Sequence, residues 1–346
     1  MPWTKVAIEN GYKGSLPVEE NNKKRIMSYR DALKEALGQA LRRDPSVFVM
    51  GEGIDDSGGV FGSTLGLHKE FGGRVFDTPI AENALTGIAT GAALSGMRPV
   101  LVHMRMDFLP TSFDQIINHA SKLCYMSGGR VSVPIVIRSI IGKGWGSAAQ
   151  HSQSLHALFM HMPGVKVAMP ASPYDAKGLL LSSIADNNPV IFIEHRWLYD
   201  MKGHVPEKEY IIPFGKGLIA KKGKDVTIIA FSLMVRESMK AAALLEKEGI
   251  SVEIIDPRTI RPFDTEIVIS SLRKTKRLII ADLGWRSGGM GEIITGRLYN
   301  KIRKFLKSDV QIIASPDTPT PSSYYLEKVF YKDVSDIIKA VRKVLS

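Results

Sequence analysis

Apolar positions at Ala32, Leu33, Ala36, Leu37, Ala40 and Leu41 recur at helical spacing, which predicts an amphipathic helix over Met27 to Arg43 with Ser28 placed to cap its start. The apolar run Val47 to Met50 reads as a short strand closed by Gly51-Glu52-Gly53, and Asp55 to Ser63 as a glycine-rich loop. Val75 to Asp77 predicts a second strand. It passes through Thr78-Pro79-Ile80 into a helix that opens at Glu82 and carries Ala84, Leu85, Ile88, Ala89, Ala92, Ala93 and Leu94. Gly87 and Gly91 let this helix approach a neighbour closely, in our reading a helix of another subunit.

The alternation continues with Pro99 to His103 as strand, Ser112 to Met126 as helix, Val133 to Arg138 as strand, and a glycine-rich loop to His151. Val165 to Ala168, a helix over Ser172 to Asp186, and Val190 to Glu194 complete one parallel α/β unit. The stretch after Tyr199 carries Pro206, Pro213 and many charges and reads as a crossover linker. A second series follows: strand Val226 to Phe231, helix Val235 to Glu248, strand Val252 to Ile255, and a helix around Asp264 to Leu272. Strand Arg277 to Ala281, helix Met290 to Phe305, strand Val310 to Ala314 and helix Val334 to Leu345 close it. The expected architecture is therefore two parallel-sheet α/β domains: an N-terminal extension over 1–26, a first domain over 27–200, a linker over 201–224 and a second domain over 225–346.

Composition changes this picture little. The 346 residues are 44% hydrophobic and 23% charged, as in an ordinary globular enzyme, and no segment has the length of uncharged apolar chain that spans a membrane. The first 25 residues have neither the apolar run of a secretory signal nor the acid-poor character of a transit peptide, so the expected location is the cytoplasm. One cysteine, Cys124, excludes an internal disulfide and reads as a small apolar filler. The 46 Lys and Arg against 35 Asp and Glu give a net charge of +11, but the basic residues are spread along the chain, which argues against nucleic acid as a partner.

Three segments carry candidate chemistry: Asp77-Thr78-Pro79-Ile80-Ala81-Glu82, His103-Met104-Arg105-Met106-Asp107-Phe108, and Gln150-His151-Ser152-Gln153. Each lies at or after the carboxyl end of a predicted strand, where ligands bind in open α/β sheets. Position alone leaves two readings of Glu82 open: a favourable charge at a helix start, or a half-buried carboxylate that shares a proton near neutral pH. His151, in a loop with Gly142, Gly144 and Gly146, suits proton transfer or an anionic substrate. Met104 and Phe108 would ordinarily be core. Gly288-Gly289-Met290-Gly291-Glu292 reads as a tight helix start, and no dinucleotide or Walker-type fingerprint is present.

In this order and spacing the segments resemble the β subunit of the decarboxylating component of pyruvate and branched-chain 2-oxo acid dehydrogenase complexes, a transketolase-like family. The likeness runs from Met27 to the C-terminus and includes Gly51-Glu52, Asp77 to Glu82, Asp114-Gln115-Ile116-Ile117-Asn118, Tyr125-Met126-Ser127-Gly128-Gly129, Gln150 to Gln153, Asp186-Asn187-Asn188-Pro189-Val190, Ile260-Arg261-Pro262 and Gly284-Trp285. The resemblance implies a pyrimidine-binding domain followed by a transketolase C-terminal-like domain. It also implies thiamine diphosphate as cofactor, with Glu82 at the ring nitrogen of its aminopyrimidine, Ile80, Met104 and Phe108 against that ring, and His151 near substrate and incoming lipoyl group. Ile135, Ser183, Ile184, Asp186 and Asn188 fall where some relatives bind potassium.

The family's Gly-Asp-Gly segment for diphosphate and magnesium does not occur here. The resemblance therefore implies an α subunit that supplies magnesium, an α2β2 heterotetramer, and docking to a lipoyl acyltransferase core, although a basic surface works against the basic docking domain of such a core. Arg105, Met106 and Asp107 replace the family's usual small polar and aromatic residues and bring two charges to the inferred pocket. Three functions follow for test: oxidative decarboxylation of a 2-oxo acid; transketolase- or acyloin-type carbon–carbon ligation, which Arg105 would favour by gripping an anion; and a non-catalytic assembly role.

Overall fold

The computed structural model describes residues 25–142 and 147–346; most of the expected N-terminal extension and residues 143–146, with Gly144 and Gly146, lie outside them. Strand β1 (Ile26–Ser28) leads into helix α1 (Tyr29–Arg43), where the Ser28 side chain accepts from Asp31 N at 3.2 Å, so the serine caps the helix as its position predicts. Arg42 and Arg43 fill the last turn, where the carbonyl end of a helix favours positive charge. There follow β2 (Val47–Gly51), α2 (Leu67–Phe71), β3 (Val75–Asp77), α3 (Glu82–Leu94) and β4 (Arg98–His103).

The region expected as one helix over Ser112 to Met126 is a π-helical stretch, Asp114–Ala120, that passes into α4 (Ser121–Met126). Strand β5 (Val136–Ile141) begins later than the apolar run from Val133 suggests. Pro134 has no N–H for a ladder, and Ile135 N turns back to Val133 O at 2.9 Å. Helix α5 (His156–His161), β6 (Lys166–Ala168), α6 (Pro173–Ala185) and β7 (Val190–His195) complete the first series.

The stretch expected as a linker contains two short strands, β8 (Lys202–His204) and β9 (Leu218–Lys221). Beyond it come β10 (Val226–Ala230), α7 (Leu233–Glu246), β11 (Val252–Asp256), β12 (Thr259–Arg261), α8 (Thr265–Thr275), β13 (Leu278–Trp285), α9 (Met290–Ile302), β14 (Gln311–Ser315), α10 (Tyr324–Phe330) and α11 (Val334–Leu345).

Among the described residues the first sheet has the order β12-β6-β7-β5-β4-β2-β3, the second β14-β13-β10-β11-β9, and β1 pairs with β8. Both main sheets are parallel except at one edge, where β12 runs against β6 and β9 against β11. The α/β class is the expected one, with antiparallel edge strands added. Strand β12 departs most from expectation, because it comes from the second series and joins the edge of the first sheet. Side chains alternate across each strand into apolar layers on both faces: Val100 and Val102 pack with Val47 and Val49 on one side, Leu101 with Met50 on the other. Burial on both faces is why the strands read as unbroken apolar runs.

Candidate active site

The carboxyl ends of β2, β3 and β4 lie side by side because Gly51 stands opposite both Asp77 and Val102 in the ladders. Gly51 has φ +144°, and a Cβ there would meet Val102 O at 2.2 Å, so only glycine lets the two backbones approach this closely. Thr78 N donates to Gly51 O at 3.0 Å and Asp77 Oδ1 accepts from Ile54 N at 3.1 Å, which holds the turn after β3 against the end of β2. Glu82 then opens α3. Its N-cap residue is Ala81, which has no side-chain oxygen to close the helix end.

Glu82 is half-buried, as the proton-sharing reading requires. Glu52, at the end of β2, sits close enough to feel it. Burial first, then the charges of Glu82 and Asp77, push the Glu52 carboxyl up to about 7. Its Oε1 is buried without a hydrogen-bond partner. Behind the pair, His103 Nε2 lies 3.2 Å from Thr86 Oγ1, and that hydroxyl donates to Glu82 O at 2.8 Å. Burial brings His103 down to about 4, so it is neutral at physiological pH. The site thus joins two carboxyl groups, one retaining its proton near neutrality, to an uncharged backing.

The segment after β4 supplies the apolar wall. Met104 and Phe108 are half-buried, and the Met104 Cε fills the space that a side chain at Gly53 (φ +68°) would occupy, 2.7 Å from its Cβ position. Phe108 meets the exposed His151 edge-on, ring centroids 5.2 Å apart at 79°. The fold therefore brings two of the three sequence segments into direct contact, and the Glu52–Glu82 pair lies at the same sheet edge. Ile80, between β3 and α3, is 79% exposed. Ile88 on α3 is 61% exposed, and Tyr125 and Met126 at the end of α4 are 83% and 72% exposed. Large apolar side chains so far out of the core form an exposed apolar face around this end of the sheet.

Two family models match the chain in sequence: the transketolase pyrimidine-binding domain over residues 25–202 and the transketolase C-terminal domain over residues 215–337. The acetoin:2,6-dichlorophenolindophenol oxidoreductase subunit beta of Cupriavidus necator is 44% identical over 331 residues, covering 93% of this chain and 98% of that protein. The pyruvate dehydrogenase E1 component subunit beta of Rickettsia felis is 42% identical over 319 residues, covering 92% and 98%. The chain belongs to this transketolase-like family of β subunits. A solved structure titled "Split gene transketolase, inactive beta4 tetramer" superposes with a TM-score of 0.73 at 25% identity, covering 92% of this chain and 98% of that one.

Family membership leaves the remaining candidates to be placed by geometry. Ile135, Ser183, Ile184, Asp186 and Asn188 do converge, around Arg98 and Lys166. The Ile184 and Asp186 carbonyls accept from Arg98 Nη1 at 3.0 and 3.1 Å, Ile135 O from Val190 N at 2.9 Å, and Ser183 O from Asp186 N at 3.3 Å. Asp186 Oδ1 accepts from Asn188 N and Nδ2 at 2.9 and 3.0 Å, and its Oδ2 from Lys166 Nζ. Both carboxylate oxygens are engaged, and two protein cations already supply the positive charge that a potassium ion would bring. Glu52 and His103 are the residues that sequence reasoning did not single out. Gly51-Glu52 was visible only as a motif, and its position beside Glu82 depends on strand order.

Proposed function

We propose that the chain is the β-type subunit of a thiamine-diphosphate-dependent 2-oxo acid dehydrogenase of the cytoplasm, active only with an α subunit in an α2β2 heterotetramer. The reaction is oxidative decarboxylation of a 2-oxo acid with acyl transfer to a lipoyl group. The observation that carries this reading is the half-buried Glu82 opening an uncapped helix beside the protonated Glu52, in a chain that matches pyruvate dehydrogenase β subunits over nine-tenths of its length. When bound, the cofactor supplies the nucleophilic carbon that attacks the oxo group and accepts the electrons left by decarboxylation.

The chain's own residues do the rest. Glu82 holds a proton at the ring nitrogen of the aminopyrimidine. Glu52, pushed up to about 7 by burial and by the charges of Glu82 and Asp77, exchanges its own proton near neutral pH beside it. Met104, Phe108 and Ile80 supply apolar surface for the ring and exclude water from it. His151, exposed beside Phe108, faces the substrate and lipoyl side. Among the described residues no three Asp, Glu, His or Cys side chains converge as a metal site, and we assign the magnesium and diphosphate to the α subunit. A potassium ion at the Asp186 segment would have to compete with Arg98 and Lys166, which already bond the Ile184 and Asp186 carbonyls and the Asp186 carboxylate. The apolar side chains exposed on α3 and α4 are the surface we assign to subunit contact. No described helix is long and apolar enough to cross a membrane.

A second reading keeps the oxidative chemistry but takes acetoin as the donor in place of a 2-oxo acid; it is favoured by the Cupriavidus necator relative, which is named an acetoin:2,6-dichlorophenolindophenol oxidoreductase subunit beta. Co-purification with the α partner, followed by reduction of 2,6-dichlorophenolindophenol with pyruvate, branched-chain 2-oxo acids or acetoin as donor, separates the two. In the same assay Glu82→Gln is expected to lose activity by about 10²-fold or more. Full activity of that variant would leave only the assembly role.

A further inference from the structure

Arg105 and Asp107, the two charges that depart from the family pattern, face the chain that carries His151. Arg105 Nη1 donates to Gly142 O at 3.1 Å, at the point where that chain leaves β5. Asp107 Oδ1 accepts from Ser152 N at 3.1 Å and Gln153 N at 3.0 Å, immediately after His151. Phe108 packs its ring against the His151 ring. Asp107 and Phe108 thus hold the histidine from after and beside, while Arg105 anchors the same chain at Gly142, where it leaves β5. We infer that Arg105 and Asp107 are positioning residues that fix His151 by its backbone, and that Arg105 does not take an anionic group of the substrate.

Charge and burial agree with this assignment. Burial lowers the Arg105 pKa while Asp107 opposes the shift; burial raises that of Asp107 while the Gln153 backbone N–H and Arg105 oppose it. Each charge opposes the shift that burial imposes on its neighbour, while the second Asp107 oxygen, Oδ2, is buried without a hydrogen-bond partner. The Arg105 guanidinium also lies 5.4 Å from the Phe61 ring centroid, a cation–π contact that restrains it further. Phe61 holds φ +48°, an uncommon conformation for a bulky residue, kept here under two guanidinium groups, since Arg196 lies 4.6 Å from the same centroid. Two backbone N–H groups sharing one carboxylate oxygen need an acceptor at that atom and no net charge.

The inference rests on the reading of His151 as the substrate-side residue, and the test separates the two. In the enzyme purified with its α partner, Asp107→Asn keeps an acceptor oxygen and is expected to retain kcat within about threefold. Asp107→Ala removes it and should lower kcat about 10- to 100-fold with little change in KM, the cost of a slightly misplaced group. Arg105→Met should lower kcat by about tenfold and shift KM in parallel for 2-oxo acids with and without a second carboxylate. Hydrogen exchange of the peptide containing Ser152 and Gln153 should speed up about tenfold or more in Asp107→Ala and stay near the original rate in Asp107→Asn. Unchanged exchange in Asp107→Ala, equal loss of activity in both Asp107 variants, or a KM rise confined to the dicarboxylate in Arg105→Met overturns the inference. If exchange responds as expected while His151→Ala keeps full activity, the clamp stands and the role given to His151 falls.

Discussion

Replacing Glu52 with glutamine should make the protein more stable, and only above the pH at which an ordinary glutamate ionises. In the folded chain burial and the charges of Glu82 and Asp77 raise its pKa from 4.5 to about 7. The unfolded chain releases this proton near 4.5. Between these values the native state holds a proton that the unfolded state lacks, so stability falls as pH rises through the window and the loss is complete above 7. At about 1.36 kcal/mol per pKa unit the full shift corresponds to roughly 3.4 kcal/mol. Glu52 is half-exposed, and solvent screening reduces this to about 1–2 kcal/mol. His103 contributes with the opposite sign: its pKa is lowered from 6.5 to about 4, so its contribution is lost as pH falls through that interval. The two nearly offset each other where the windows overlap, and the parent profile is flat there. Urea unfolding of the purified chain and of Glu52→Gln, each from pH 4.5 to 8, is expected to show no difference at the acid end and a gain of about 1–2 kcal/mol for the variant at pH 8. A difference independent of pH, or a variant less stable at pH 8, would refute the account of Glu52 as a carboxyl held protonated by its surroundings.

Two further outcomes follow from other parts of the fold. Arg138 on β5 is fully buried and donates to both carboxylate oxygens of Glu194 on β7, at 2.6 and 2.9 Å, with Tyr199 OH donating to the same carboxylate at 2.6 Å. Glu194→Gln leaves that guanidinium without its counter-charge and should cost about 3–5 kcal/mol in urea unfolding, whereas a loss below about 1 kcal/mol would show that the pair is not needed. Because Arg98 and Lys166 already neutralise the Asp186 segment, exchanging potassium for sodium should move the melting temperature of the chain by less than about 1 °C; a larger stabilisation specific to potassium would place an ion there.

What was legible in the sequence was local. Ser28 announced a helix start by its own hydrogen-bonding chemistry, and the apolar periods over α1, α3 and α11 located those helices to within a residue or two. The strand, proline turn and alanine-rich helix around Glu82 placed it at a helix start, but only the resemblance of the surrounding motifs to a known family gave it a role. The rest depended on which strand lies beside which. Glu52 and Glu82 lie far apart in sequence, and only the pairing of Gly51 with Asp77 brings Glu52 close enough for the Glu82 charge to raise its pKa. Strand β12 is three residues long, too short for any period, and its place at the edge of the first sheet comes from pairing with β6. Arg105 and Asp107 show how much a charge's surroundings depend on the fold. In sequence they stood between two pocket residues and suggested an anionic ligand. In the fold Arg105 Nη1 donates to Gly142 O and Asp107 Oδ1 accepts from Ser152 N and Gln153 N, backbone contacts that no local pattern in the sequence announces.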